Sequence, residues 1–250
     1  MISLEAPAKL TLTLRVTGVR EDGYHLIDAE MVALALTDIV RIEDSPTTQL
    51  TVTGPFATGV PTDESNLVHK ALARSNRTAK VRIEKNIPHG GGLGGGSTDA
   101  AAVLRWAEHT DPIHAAALGA DVPFSLVGGR AHVAGIGEKV TPLPYEHMDL
   151  TLFIPPVHVP TPLVYATWDA MGGPTGTNGN DLEPAALHAV PELLTWRERI
   201  ATAFGVQPHL AGSGATWFAH GHLTSTGKTP DGLMVVHTTT RPDAGRVVGR

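Results

Sequence analysis

The residues from Ile87 to Leu104 read IPHGGGLGGGSTDAAAVL, with six glycines around Leu93 running into Ser97, Thr98, Asp99 and an alanine-rich stretch. Bare backbone feeding a helix N-terminus makes an anion site. Glycine accepts positive φ and lets a ligand touch the main chain, while the first helical N–H groups and the positive end of the helix dipole face it. A flexible linker is the competing interpretation. Linkers do not usually end on a hydroxyl N-cap followed at once by strong helix formers, so the stretch is expected to cradle a phosphate.

Two commoner phosphate motifs are nearly matched, and both fail. Gly90, Gly92 and Gly95 satisfy G-x-G-x-x-G, but a dinucleotide fold needs an acidic residue closing a second strand about twenty residues further on. That region reads Ala107-Glu108-His109-Thr110-Asp111-Pro112, the end of a helix and a turn. Gly91 to Gly96 followed by Ser97 imitates a Walker A loop without the lysine that should precede the hydroxyl, and the nearest lysine, Lys85, lies before the loop. The cation must therefore come from a metal or from another part of the chain.

Leu10, Leu12, Leu14 and Val16 alternate with Lys9, Thr11, Thr13 and Arg15, the period of a half-buried strand, which puts Lys9 and Thr11 on one polar face. Lys9 is then either an ordinary exposed strand lysine or a functional ammonium. Asp121 interrupts the otherwise apolar run Leu118 to Phe124. A carboxylate so placed is either a helix cap or a functional group, since carboxylates are rarely buried without a partner.

The elements that must position these residues follow from periodicity and turn residues. The Glu21-Asp22-Gly23 turn leads to short strands at Met31 to Leu36, Ile39 to Ile42 and Leu50 to Thr53, so an antiparallel sheet opens the chain. Asp63 to Asn66 caps a helix to about Arg74, and Val81 to Glu84 is a strand delivering the chain to the glycine loop. A helix from Ser97 to about Glu108, a short helical piece and a strand from Arg130 to Ala134 complete the first half. Prolines at 142, 144, 155, 156, 160 and 162 punctuate the middle, and a domain junction is expected near residue 145. The second half offers a strand at Leu150 to Ile154, helices at about Pro162 to Met171, Asp181 to His188 and Glu192 to Ala203, and strands near Gln207 to Leu210, Thr216 to Ala219 and Leu233 to His237. The tail from 241 to 250 has no apolar period and is expected to be frayed.

A chain of 250 residues with 42% hydrophobic content supports one large or two small domains. With 19 basic and 25 acidic residues, a net charge of -6 and no basic cluster longer than a pair, nucleic acid and anionic membrane are disfavoured as partners. The absence of cysteine rules out disulfides and thiolate metal sites. The first residues, MISLEAPAKL, contain no apolar secretory core, and no stretch of eighteen apolar residues follows, so a soluble cytoplasmic protein is expected. His220 and His222 read as loop residues, and a metal role for them lacks an identifiable third ligand.

Pro7-Ala8-Lys9, Asp22-Gly23-Tyr24-His25, the doubled glycine loop, Leu118 to Phe124 (LGADVPF) and Gly212 to Ala215 together resemble the GHMP kinase superfamily. Within it, the chain is most similar to the 4-diphosphocytidyl-2-C-methyl-D-erythritol kinase family of the non-mevalonate isoprenoid route, over about residues 5 to 220. The resemblance implies an α+β, two-domain fold with the active site in the cleft. Residues 1–145 would form a ribosomal S5 domain 2-like nucleotide-binding domain, and 146–240 a ferredoxin-like α/β substrate domain. It implies ATP and Mg²⁺ as cofactors and phosphorylation of the 2-hydroxyl of a cytidine diphosphate methylerythritol. Lys9 and Asp121 look like the catalytic pair. Pro88, Gly90, Gly91, Gly92, Leu93, Gly94, Gly95, Gly96, Ser97 and Thr98 would hold the ATP phosphates, Asn66 would border the adenine, and Ser97 is a candidate Mg²⁺ contact. Tyr24, His25 and Tyr165 look like the cytosine readers, with Thr11, Asn180, Asp181, Gly212, Ser213 and Gly214 on the substrate side.

The chemistry fits that assignment independently. Phosphoryl transfer needs alignment and charge neutralisation, which a carboxylate near the acceptor hydroxyl and a cation near the moving phosphoryl supply. A cytosine offers a flat π-face and a donor and acceptor edge, matching an aromatic ring plus an imidazole. Taken singly, each tyrosine or histidine reads equally as a half-buried or surface residue. Two departures from the family pattern stand out. Thr11 replaces the usual asparagine, with shorter reach, and the segment before Asp121 is short. Two other readings stay open: another small-molecule GHMP kinase acting on a mevalonate-like or sugar alcohol, and a nucleotide-binding protein without turnover.

Overall fold

A computed structural model describes residues 1–249. In chain order the elements are β1 (Ile2–Val19), β2 (His25–Asp44), β3 (Gln49–Thr53), α1 (Leu67–Arg74), β4 (Ala79–Glu84), α2 (Gly95–Trp106), α3 (Pro112–Ala115), α4 (Val122–Val127), β5 (Arg130–Gly135) and β6 (Lys139–Leu143). There follow β7 (Asp149–Ile154), α5 (Thr161–Ala170), α6 (Glu183–Ala189), α7 (Glu192–Phe204), β8 (His209–Leu210), β9 (Trp217–His220), β10 (Met234–Thr239) and β11 (Val247–Gly249). The architecture is α+β, with one seven-stranded and one four-stranded sheet.

The frame is a long hairpin. β1 and β2 pair from Ile2↔Ile42 to Val19↔His25, with irregularities between Pro7 and Lys9, Thr11 and Thr13, and Val16 and Gly18. Those bulges let a very long pair twist and still keep its ladder. The two short strands expected at Met31 to Leu36 and Ile39 to Ile42 are thus one continuous strand. The polar Thr37-Asp38 step that looks like a break carries a fully buried carboxylate with partners of its own. β2 changes neighbour along its length, pairing Ile39–Asp44 with β4 and Ile27–Val32 with β5. Helices α1, α2 and α4 cover one face of this sheet over Leu4, Ala6, Val40, Ile42, Val81 and Ile83.

The second sheet has the order β10-β7-β9-β8 and is antiparallel throughout. Helices α5 to α7 intervene between β7 and β8, and Val164, Leu193, Ile200 and Phe204 pack with Phe153 and Trp217. The same cluster takes in Leu14, Met31 and Phe124 from the first sheet and its helices, so no water layer separates the two halves there. A third cluster joins Ala8, Leu10, Ile87 and Leu93 to Leu150, Leu152 and Phe218. Burial of this continuity holds the cleft walls at a fixed spacing.

The tail corrects the expectation of fraying. β11 pairs with β1 through Ser3↔Gly249 and Leu4↔Val247, while Arg250 lies outside the described residues. Arg241 Nη2 donates to Glu5 Oε2 at 2.7 Å and to Asp243 Oδ1 at 2.6 Å. The Arg241 side chain is only 12% exposed. The segment is held by ladder pairing and charge, neither of which leaves an apolar period in the sequence. Among the described residues no helix is long and apolar enough to cross a membrane.

Candidate active site

The glycine loop is built from both sides. Leu93 is buried, and its carbonyl accepts from the Lys9 backbone N–H at 2.9 Å, which ties the loop to β1. Gly90, Gly92 and Gly94 all have positive φ, at 80°, 77° and 71°. This alternation turns successive N–H groups to one side, and α2 starts at Gly95 with its first internal bond from Thr98 N to Gly94 O. The N–H groups of Gly95, Gly96 and Ser97 therefore have no carbonyl one turn back. The outer side is open: a Cβ on Gly90 would meet nothing within 4 Å, and one on Gly96 only Leu67 Cδ1 at 3.9 Å. The inner side is tight, since a Cβ on Gly94 would lie 2.8 Å from Lys9 Cγ. The loop thus rests on the lysine stem and aims its ammonium.

Lys9 Nζ lies 3.4 Å from Asp121 Oδ2 and 3.4 Å from Thr11 Oγ1. Lys9 and Thr11 share a face of β1, as their spacing requires. Asp121 occupies the N-cap position of α4 but makes no capping bond there. Its carboxylate is turned to the lysine instead, so the capping role is not the one it fills. Arg15 and Thr13, further along β1, are exposed, whereas Lys9 is 7% exposed because the glycine loop packs against its stem at Gly94.

These groups open into a cleft of about 1010 Å³ between the two halves. Thr11, Tyr24, His25, Gly92, Asp121, Tyr165, Gly212, Ser213 and Gly214 all line it. The Tyr165 ring lies 4.6 Å from that of His25, tilted by 36°. Burial, followed by the nearby Asp121 charge, pushes the Tyr165 phenol up to about 12. It is therefore a neutral donor at any working pH, not a base. Tyr24 stands on the exposed lip with the Arg20 guanidinium 6.0 Å from its ring. The floor is the contact between the two glycine turns, where a Cβ on Gly92 would come within 3.1 Å of Gly214 Cα.

Several of the residues expected to touch ligand also hold the chain itself. Asn66 caps α1, accepting from Val68 N at 2.9 Å and donating to Pro61 O at 2.7 Å, which fixes the orientation of its amide. Such a cap is worth about 1 kcal/mol. Thr98 is sealed beneath the helix with an unpartnered hydroxyl and a used N–H. Pro88 is buried, and Gly91 is walled in with Thr216 Oγ1 at 2.7 Å from where its Cβ would be. Asn180 and Asp181 are buried below the cleft. Asn180 Nδ2 donates to Leu210 O at 2.9 Å and to Gly212 O at 2.7 Å, shaping the second glycine turn. Asp181 accepts from Arg15 Nη1 at 2.6 Å and Val16 N at 3.1 Å, fastening β1. Both hold the wall of the cleft through these bonds.

Three features escape a reading of the sequence. Asp169 and Trp168 line or back the cleft on α5, one turn from Tyr165, and that helical spacing from an already chosen aromatic was the available signal. Thr161 Oγ1 and Ser213 Oγ are hydrogen bonded at 2.9 Å across the cleft. Beneath the loop, Lys85 Nζ is bonded to Asp38 Oδ2 and, at 2.7 Å, to Asp99 Oδ2, all three being nearly or fully buried. Burial and the neighbouring Asp38 outweigh the attraction of Lys85 and hold the Asp99 carboxyl well above its ordinary range. Burial lowers the Lys85 ammonium, but Asp99 and Asp38 together raise it above its usual value.

Residues 66–129 match the family model described as GHMP kinases N terminal domain. A 4-diphosphocytidyl-2-C-methyl-D-erythritol kinase from Cereibacter sphaeroides is 40% identical over 241 residues, covering 85% of this chain and 87% of its own length. The enzyme of that name from Paracoccus denitrificans is 38% identical over 232 residues, covering 85% and 84%. A crystal structure of a 4-(cytidine 5'-diphospho)-2C-methyl-D-erythritol kinase superposes with a TM-score of 0.73 at 31% identity, over 95% of this chain and 98% of that one.

Proposed function

The chain belongs to the 4-diphosphocytidyl-2-C-methyl-D-erythritol kinase family of GHMP kinases, and from that premise we propose how its residues carry out the family's reaction. The reaction is ATP-dependent phosphorylation of the 2-hydroxyl of 4-diphosphocytidyl-2-C-methyl-D-erythritol. It belongs to the methylerythritol phosphate route to isoprenoids. Asp121 accepts the hydroxyl proton as that oxygen forms its bond to the γ-phosphorus and the bond to the β-phosphate oxygen breaks, releasing ADP. Lys9, 3.4 Å from that carboxylate, orients it and offsets charge on the moving phosphoryl oxygens. The free N–H groups of Gly95, Gly96 and Ser97 hold phosphate oxygens from the other side.

Mg²⁺ would fit this site as an ion brought mainly by the nucleotide, with Ser97 the side chain that would stand beside it. Ser97 keeps a half-buried hydroxyl at the open end of the cradle, and no group of three acidic or histidine side chains among the described residues is arranged for a metal. When bound, the ion supplies charge neutralisation across the phosphates. Tyr165 and Tyr24 offer ring faces to cytosine, and His25 offers its edge.

The observation that carries this reading is the Lys9–Asp121 pair standing in one cleft with Tyr24, His25 and Tyr165. Coupled ADP release measured with the cytidine substrate, mevalonate and galactose tests it. Turnover with the cytidine substrate alone is expected. Turnover with mevalonate or galactose instead overturns the specificity, and none with any of the three overturns the catalytic assignment.

A further inference from the structure

We propose that Asp169 is a specificity-determining positioning residue that fixes the tautomer of His25 and thereby selects an amino-bearing pyrimidine over an oxo-bearing one. The proposal rests on the cytidine reading of the cleft and adds to it the group that enforces it.

Asp169 is the penultimate residue of α5, at the negative end of the helix dipole, where a carboxylate is disfavoured and no basic side chain in the last turn offsets it. It lines the cleft and accepts from His25 Nε2 at 2.9 Å. Tyr165, Trp168 and Asp169 stand at helical spacings that share a face, and all three meet the same imidazole. Tyr165 lies at 4.6 Å, and Trp168 is edge-on at 5.7 Å with its own Nε1 held by Pro174 O at 2.9 Å. The His25 side chain is left 11% exposed against 49% for Asp169, so the ring is clamped while the carboxylate stays hydrated.

An ionised carboxylate only accepts hydrogen bonds, so a neutral His25 must carry its proton on Nε2 and present Nδ1 as a lone pair. Among the described residues Nδ1 has no protein hydrogen-bond partner. A bare acceptor in the cleft suits the 4-amino group of cytosine and repels the 4-oxo group of uracil. A buried acceptor left facing another acceptor costs about 1–3 kcal/mol, roughly a 5- to 150-fold preference.

The test compares wild type, Asp169→Ala and Asp169→Asn with 4-diphosphocytidyl-2-C-methyl-D-erythritol and with its uridine counterpart. It also records the ¹⁵N spectrum of His25, identified by its loss in His25→Gln. Wild type is expected to prefer the cytidine compound and to show Nε2 protonated. In Asp169→Ala the ring is free to move its proton to Nδ1 and donate to uracil. Turnover of the uridine compound is then expected to rise while KM for the cytidine compound rises roughly tenfold. Asp169→Asn keeps a carbonyl acceptor and is expected to retain the preference. An unchanged tautomer and unchanged preference in Asp169→Ala overturn the role of Asp169 alone. A wild type indifferent to the base overturns the cytidine reading beneath it.

Discussion

Two buried lysines, Lys9 and Lys85, meet aspartates, and only one meeting opens onto the cleft. Lys9 faces Asp121 at 3.4 Å across an open cleft, with the carboxylate side chain 31% exposed. Lys85 is clasped by Asp38 and Asp99 under the glycine loop, with side chains between 0% and 4% exposed. The closer contacts belong to the sealed cluster. Asp38 Oδ1 also takes the N–H groups of Asn86 and Ile87, at 2.5 and 2.8 Å, and the carboxylate is fully buried, out of reach of a substrate. A loose, half-hydrated pair can exchange partners as a reaction proceeds, whereas a tight, dry one resists change because breaking it strands a charge. Ion-pair strength is therefore not what distinguishes the pair proposed as catalytic. Access to the cleft singles out Lys9 and Asp121 as the pair proposed for catalysis.

The sharpest way to break this contrast is to disable each cluster in turn. Asp121→Asn is expected to lower kcat about a thousandfold in steady-state ADP release while leaving the melting temperature nearly unchanged. Retained turnover would remove Asp121 from the role of base. Lys85→Met should do the reverse, costing about 3–5 kcal/mol of stability by denaturant unfolding, since two buried carboxylates lose their shared cation. If it unfolds at the wild-type midpoint, the sealed cluster is not structural. Lys9→Met is expected to cut kcat by roughly a hundredfold, with little change in unfolding, matching the loss of one electrostatic stabiliser.

A subtler difference lies in pH. Asp99 is held up to about 7 in the folded chain, above the ordinary carboxylate value of 3.8, so the folded state binds the proton more tightly than the unfolded state. Its contribution is fully present below about 4 and is lost as pH rises through about 7. Asp99→Asn should flatten the melting temperature between those limits. Equal slopes for wild type and Asp99→Asn would show that the buried carboxyl does not carry the proton. The smallest effect is expected from Thr11→Asn, which lengthens the polar arm beside Lys9. A change of only a few fold in KM for the cytidine substrate is anticipated, corresponding to about one hydrogen bond.

Much of the scaffold was readable because it rests on local rules. The glycine loop declares itself through six glycines and a following helix, and Asn66 ahead of α1 is a capping residue by type. The alternation from Lys9 to Val16 gives both the strand and the shared face of Lys9 and Thr11. The structural partners of Asn66, Asn180 and Asp181 were not legible in the sequence for one reason: a side chain's polar atoms are claimed by whichever partner is near in space. For Asn180 those partners are the carbonyls of Leu210 and Gly212, thirty residues away or more. The ordered tail was missed because its anchors are Glu5 and the edge of β1.

By itself, then, the sequence determined the kind of loop, the strand period that pairs Lys9 with Thr11, and the carboxylate in an apolar run, because these depend on neighbours within a few residues. Tertiary structure alone decided which lysine meets a carboxylate in the open and which is entombed. It also decided whether Asp121 caps a helix or faces an ammonium, and that Asp169 would reach His25 from 144 positions away. Burial and long-range partnership set those outcomes, and neither is a property of a residue type or of its local spacing.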